Sequence, residues 1–384
     1  MARRIVSIQH GDYSDGLRRM RAGEPEHYFG VRHALDSLAE LFGHDPHLVI
    51  SLNSQPYHIT EGSGEYTGIP QPSLPWGAPR TIGMLLWAQA ILAKVRAFNP
   101  THVLLRTGDI LGVRILQHCV RHRINAMANF AFYLDPKTIQ SRFVTRKLVH
   151  LLNDPCVYLV GNHKTPATQS LVAWGLNPNK AVAWDWPGAR HPRDYPVKSL
   201  DTVKPAHIVY VGNVTEQKGV GDLMDAVGLL QREGRAIHLS VAGAGLGLEA
   251  MRARARALPE GLVNILGSVD NNRAFQLMLE SALVCVPSRH EFTEGMPLTL
   301  TEALASRTPV AISDHPVFKE AFHDREGVRF FTASSPQSLA RMIAGMLDDS
   351  TAYAELSRCT AAAYERVECP TSFGDLLRRW KATF

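Results

Sequence analysis

Two glutamates with seven residues between them, Glu294 and Glu302, stand in the stretch PSRHEFTEGMPLTLTEALASRTPVAISD (287–314). Gly295-Met296-Pro297 reads as a turn, and a helix is expected to begin near Pro297, a residue suited to a first helical turn. The amides of Gly295, Met296, Leu298 and the residues that follow then sit at a helix N-terminus with no intrahelical acceptor, an arrangement that draws phosphate or sugar oxygens. Glu302, a turn into that helix, is placed to accept hydrogen bonds from a diol. The glutamates alone have a plainer explanation, since an acid near a helix N-terminus gains ~0.3–1 kcal/mol from the dipole.

A second segment, IVYVGNVTEQKGVGDLMDAV (208–227), reads as a strand ending at Gly212, a loop carrying Asn213 and Lys218, and a helix starting at Gly219. A lysine there can neutralise a diphosphate that helix amides also bind. A surface lysine in a β-α loop explains Lys218 by itself equally well. A third, VAGAGLGLEAM (241–251), approaches the dinucleotide pattern G-x-G-x-x-G, but its third glycine, Gly247, falls one residue early. The acid expected at the end of the next strand is missing, because that strand reads ILGSV and contains Gly267. Gly243 therefore belongs to a tight turn near a nucleotide rather than to a dinucleotide fingerprint.

Short apolar runs alternate with longer amphipathic ones, the pattern of β-α units and parallel sheets. Strands are expected at 4–9, 47–52, 102–107, 125–132, 157–162 and 181–186, and again at 207–213, 238–245, 263–269, 283–288, 309–313 and 328–332. Residues 187–206, with four prolines, many charges and little periodicity, read as an interdomain linker. At 384 residues, 45% hydrophobic and 20% charged, the chain suits two soluble α/β domains. No apolar run reaches the ~18–20 residues that span a bilayer. The opening MARRIVSIQHGDYSDG reads as a first strand, not a signal peptide. Five scattered cysteines without a C-x-x-C pair are expected to be free thiols, which implies a reducing, cytoplasmic compartment.

Charge divides unevenly. Residues 1–200 hold 22 Lys+Arg against 14 Asp+Glu, and residues 201–384 hold 19 against 22. A basic first half suits an anionic partner: an acidic acceptor or a phospholipid surface. Nucleic acid ranks low, for no recognition motif is present. QSRFVTRKLVHLL (140–152) is a basic amphipathic stretch that could rest on an anionic membrane or pack on the first sheet, packing being slightly favoured. His118 and His122 have metal spacing on a helix but lack a third ligand and lie among arginines; no metal site is expected.

Together, VGNVTEQKG, VAGAG, ILGSV, VPSRHEFTEGMPLTLTEALA and TPVAISD resemble, in order, glycosyltransferase family 4: retaining enzymes with the GT-B fold, two Rossmann-like β/α/β domains facing across a cleft. The resemblance covers about 160 residues of the second half well. It implies an N-terminal acceptor-binding domain of residues 1–190, a linker at 191–205 and a nucleotide-sugar domain at 206–365. A C-terminal helix, about 366–384, crosses back to the first domain. It further implies that Lys218 holds the donor diphosphate, Glu294 contacts the donor sugar hydroxyls and Glu302 binds the ribose. The amides of Gly295 and Met296 then face sugar or phosphate. The expected activity is metal-independent hexosyl transfer from a nucleotide-sugar to a glycan, lipid-linked or small-molecule acceptor, with no cofactor. No D-x-D motif occurs.

Three departures stand out. Asn213 takes the place of the family's usual arginine. No Gly-Gly loop follows the first strand, only separate Gly11, Gly16 and Gly30. Asn129 stands where a catalytic-face histidine is common. His10, Asp12, Asp109 and Asp135 lie near expected strand ends, each more easily explained as a loop residue than as a proton carrier. These departures keep two alternatives open: another GT-B enzyme, such as a sugar-nucleotide epimerase or phosphorylase, and a non-catalytic nucleotide-sugar-binding scaffold.

Overall fold

The β-α alternation builds two open sheets in two units, residues 1–187 with 369–384 and residues 188–368. This computed structural model describes residues 3–11, 13–24, 29–52, 55–72, 80–186, 188, 190–200 and 205–384.

Unit 1 contains β1 (Ile5–His10), α1 (Tyr13–Ala22), α2 (Phe29–Phe42), β2 (His47–Leu52), β3 (Tyr57–Glu61) and β4 (Gly64–Ile69). It continues with α3 (Arg80–Phe98), β5 (His102–Leu105), α4 (Ile110–His122), β6 (Asn125–Phe130), α5 (Ile139–Leu152), β7 (Val157–His163), α6 (Thr165–Ala173) and β8 (Ala181–Trp184). Its eight strands are ordered β3-β4-β2-β1-β5-β6-β7-β8. All neighbours are parallel except the hairpin β3–β4. That hairpin was not expected from sequence. Its exposed first strand has a weak apolar pattern, and Gly62, at φ 58°, makes the turn.

Unit 2 contains β9 (Ala206–Val211), α7 (Val220–Arg232), β10 (Ile237–Ala242), α8 (Leu248–Arg256), β11 (Val263–Gly267), α9 (Asn271–Glu280) and β12 (Leu283–Val286). It closes with α10 (Leu298–Ala305), β13 (Val310–Ser313), α11 (Pro316–Ala321), β14 (Val328–Phe331), α12 (Pro336–Leu347) and α13 (Ser350–Val367). Six parallel strands run β11-β10-β9-β12-β13-β14. Their central members, such as Leu283–Val286 and Val310–Ser313, are buried throughout. Strands covered by helices on both faces read as continuous apolar runs, which is why they were legible. The last helix, α14 (Phe373–Lys381), belongs to unit 1 and starts with a capping box between Ser372 and Asp375.

The stretch read as an interdomain linker is fastened to unit 2. Residues from 188 onward group with unit 2. The Lys198 ammonium donates to the carbonyls of Met278 and Ser281 and to Thr308 Oγ1, and Arg307 donates to the Pro192 carbonyl. These long side chains fasten the proline-rich, charged segment by donating to carbonyls. Burial lowers the Lys198 ammonium to about 7.

Candidate functional site

In unit 2, β9 has its successor β10 on one side and β12 on the other. Strand order reverses there, and open α/β sheets bind ligands outside the carboxyl ends of the strands at such a point. The loops leaving β9 and β12 carry Lys218 and Glu294. Lys218 ends a short 3-10 turn, Glu216–Lys218, and Gly219 caps α7 at φ 71°. A Cβ at Gly219 would lie 2.0 Å from the Pro287 carbonyl oxygen, so the two loops touch only because this residue is glycine.

Lys218 Nζ donates to Glu294 Oε1 at 2.5 Å and lies 4.2 Å from the centroid of the Phe292 ring. The buried Ser288 hydroxyl donates to the same Oε1. Glu294 is only 4% exposed, yet no side chain or amide among the described residues donates to its Oε2. Among the described residues the amides of Gly295, Met296 and Leu298 donate to no protein acceptor. The helix starts at Leu298, next to the expected Pro297. Pro297 is its cap, with an extended ψ of 133°, and Leu298 is its first residue. The start is tied to the sheet by Thr299 Oγ1, which donates to the Val211 carbonyl at 3.0 Å.

Glu302 lies on α10 and looks toward the start of α9. Its Oε1 accepts from Arg190 at 3.0 Å, while Arg190 also donates to Asn272 and sits 4.1 Å from the Phe275 ring centroid. Burial pushes the Glu302 carboxyl up to about 7, against the opposing pull of Arg190 and of a hydrogen bond from Asn271. Sequence reading missed Arg190. It is one cation in a proline-rich stretch, and nothing local marks it as the partner of a residue more than a hundred positions away.

Three of the glycines expected near the donor form a row across the strand ends. The Gly212 amide donates to the Ala242 carbonyl, and the Gly243 amide to the Gly267 carbonyl at 2.7 Å. A Cβ on Gly243 would lie 1.7 Å from the Gly212 oxygen. The third glycine of VAGAGLG, Gly247, precedes α8 and donates to the Val214 carbonyl. The loop thus folds against the end of β9.

A family model described as "Glycosyl transferases group 1" matches residues 193–366. The putative teichuronic acid biosynthesis glycosyltransferase TuaC of Bacillus subtilis is 32% identical over 106 residues, 28% of this chain and 24% of that protein. The phosphatidyl-myo-inositol mannosyltransferase of Mycobacterium leprae is 25% identical over 172 residues, 44% and 45% of the two chains. These matches span less than half the length of either relative. Alr3699/HepE of Anabaena, solved with UDP-glucose, superimposes over 99% of this chain and 98% of its own with a TM-score of 0.63 at 14% identity. Residues 193–366 are a glycosyltransferase group 1 domain. The fold is that of the GT-B glycosyltransferases.

Among the described residues of this group 1 domain, Lys218 is the cation recorded in an ion pair with Glu294. Asn213 is exposed, and Tyr210 donates to its carbonyl. Arg289, on the loop that leaves β12, is forked onto Asp222 and also meets Glu216, contacts that hold its guanidinium above its ordinary range.

Unit 1 treats its strand ends differently. Asp185, just past β8, accepts from His163 Nε2 at 2.9 Å, from the Lys164 ammonium and from the Trp186 amide. Lys164 is wholly buried and holds φ 69°, a conformation costly for a side-chain-bearing residue. Burial would raise Asp185, but the hydrogen bond and charge of His163 and the charge of Lys164 hold it below the ordinary range. Burial lowers His163. Neither Asp109 nor Asp135 joins this cluster. His10 ends β1 with its pKa lowered by burial and by Arg106. Asp109 caps α4, Asp135 is an exposed partner of Lys137, and Asp12 lies outside the described residues. Asn129 is fully buried on β6, and neither of its amide atoms has a hydrogen-bond partner among the described residues, so this position faces the interior.

Proposed function

We propose that this protein is a retaining hexosyltransferase that takes a sugar from a nucleotide-sugar bound at the β9/β12 switch point of the group 1 domain. The observation that carries the reading is the Lys218–Glu294 pair beside the unpartnered amides that open α10. Breaking the bond between the anomeric carbon and the phosphate oxygen leaves positive charge on the ring and negative charge on the diphosphate. Lys218 turns from Glu294 to the diphosphate, joined by the amides of Gly295, Met296 and Leu298. Preorganised donors aimed at developing charge are the largest common source of rate enhancement. Glu294, still held by Ser288 at one oxygen, offers Oε2 to the sugar hydroxyls. Glu302 and Arg190 face the ribose.

The departing phosphate oxygen takes the acceptor's proton as the acceptor oxygen bonds to the anomeric carbon on the same face. This assigns no step to a metal and none to a base in unit 1. The binding of UDP-glucose by the fold relative HepE supports a nucleotide-sugar donor. A thermal-shift panel of UDP-, GDP-, ADP- and dTDP-sugars tests the reading. The true donor at ~100 times its Kd adds ~2.7 kcal/mol, and a panel without any shift overturns it. Transfer to an acceptor, rather than phosphorolysis or epimerisation without one, separates it from the other GT-B chemistries.

A further inference from the structure

Helices α3, α4 and α5 run 19, 13 and 14 residues without one Asp or Glu, and carry eight Lys and Arg. Each makes a crossover in the same direction along the unit 1 sheet, from β4 to β5, β5 to β6 and β6 to β7. Right-handed crossovers therefore place all three on one face, and neighbours pack side by side. Among the described residues Arg96, Arg114, Arg121, Arg142, Arg146 and Lys147 have no carboxylate partner. Protein surfaces ordinarily intersperse both signs.

The same face exposes apolar side chains. Ile139 and Phe143, at the start of α5, are 88% and 68% exposed, and Ile82 and Leu86, at the start of α3, are 48% and 49% exposed. The opposite side of α5 is packed, with Thr145, Leu148, Val149 and Leu152 buried. Between the helices lie grooves of about 230 and 500 Å³ that share Arg114. The smaller is bounded by Ile110, Phe143 and Lys147, the larger by Arg96, Arg121 and His118. No helix of the described residues is long and apolar enough to cross a membrane.

We infer that the α3–α5 face docks on an anionic phospholipid bilayer, its cations on lipid phosphates and Phe143 and Ile139 in the headgroup–acyl boundary. Charge complementarity selects an anionic partner, and exposed rings and branched chains among the cations select a lipid one. A polynucleotide would satisfy the arginines and leave Ile139 and Phe143 in water. The inference stands independently of the transferase reading, because docking needs no donor or acceptor.

The test is co-sedimentation of the full chain with vesicles of phosphatidylcholine containing one third phosphatidylglycerol, against pure phosphatidylcholine. Binding is expected only to the anionic vesicles and weakens in high salt. Each cation near such a surface is worth about fivefold in partition. Arg142→Gln/Arg146→Gln/Lys147→Gln together therefore cost on the order of 100-fold, while Arg142→Lys/Arg146→Lys keeps binding. Phe143→Ser with Ile139→Ser weakens binding with the charges intact. All five side chains are exposed, so the thermal midpoint stays at the wild-type value. Equal binding to neutral vesicles, or no loss in the glutamine variant, overturns the inference. So does a dimer that dissociates on Phe143→Ser, which assigns the face to a second copy, or duplex DNA that displaces the vesicles.

Discussion

Both units reverse strand order beside their first strand, β1 in one and β9 in the other, yet they fill the reversal point in opposite ways. Unit 2 keeps backbone at the surface. Gly212, Gly243 and Gly267 line the strand ends, Gly219 lets two loops touch, and the amides opening α10 have no protein acceptor. Unit 1 fills its strand ends with side chains. Arg106 donates to Gln9 and lies within 6 Å of the ring centroids of Trp184, Trp186 and Phe373. Asp185, His163 and Lys164 form a buried ionic cluster nearby in sequence and strand order. The same β-α grammar thus yields one edge with backbone donors that lack a protein acceptor and one that consumes its own donors. An ion pair means something different in each: at Lys218–Glu294 the proposed mechanism has the donor diphosphate replace it, whereas at Lys164–Asp185 it is part of the core.

Removing one partner from each pair tests that distinction. Asp185→Ala leaves the Lys164 charge buried without compensation, which costs about 3–5 kcal/mol. It also removes an acceptor for His163. Chemical denaturation of unit 1 reads the loss, and a shift under about 1 kcal/mol would show the cluster to be solvated after all. Lys218→Ala acts on turnover instead. Loss of one preorganised donor to developing charge lowers kcat by about 10²–10³, roughly 2.7–4 kcal/mol of barrier. Stability falls less than in the Asp185 variant, because Glu294 keeps Ser288 and sits beside the α10 amides. Initial rates at saturating donor measure the effect, and unchanged turnover would remove Lys218 from the mechanism.

The Glu302–Arg190 pair lies between these extremes, and its response to pH places it. Glu302 titrates near 7 in the fold against an ordinary 4.5. Its folded value is raised, so its contribution to stability is whole below about 4.5 and is lost as pH climbs through 7. Wild-type unit 2 should therefore lose stability between these pH values by a margin that Glu302→Gln does not show. Denaturation midpoints across that range decide it, and parallel curves for both proteins would mean that Arg190 already keeps the carboxyl ionised.

Legibility in the sequence followed the same divide. The parallel strands were plain because two-sided burial makes continuous apolar runs, and the residues of the unit 2 edge were plain because they lie in contiguous motifs. Glu294, Gly295, Met296 and Leu298 are neighbours in sequence, and Lys218 follows its strand within a few residues. What stayed hidden was assembled over distance. Arg190 meets Glu302 across 112 positions, and Lys164 meets Asp185 across 21. The Lys218–Glu294 contact was hidden for another reason. The family resemblance assigns each residue a separate partner in the donor, and only the folded geometry brings the two side chains together. The hairpin β3–β4 escaped because an edge strand open to water carries little apolar signal.

The smallest effect bears on how complete the unit 2 edge is. Arg289 is committed to Asp222, and Arg190 to Glu302 and Asn272, so Lys218 is the one cation of these three placed beside the open α10 amides. Asn213 follows the end of β9 and is exposed, and Gly245 leaves its side chain room by lacking a Cβ, which would lie 2.3 Å from Oδ1. Asn213→Arg adds a second cation on the loop that already bears Lys218. An ion pair at a solvent-reached edge is worth up to about 1 kcal/mol, or roughly a fivefold lower donor Kd. The gain should shrink as salt is raised, whereas the wild-type affinity, resting more on fixed amides, changes less. Calorimetric titration at two salt concentrations reads both quantities. An arginine that leaves the Kd unchanged would mean that the diphosphate does not approach the end of β9, and that the glycine row there serves only to let the loops pack.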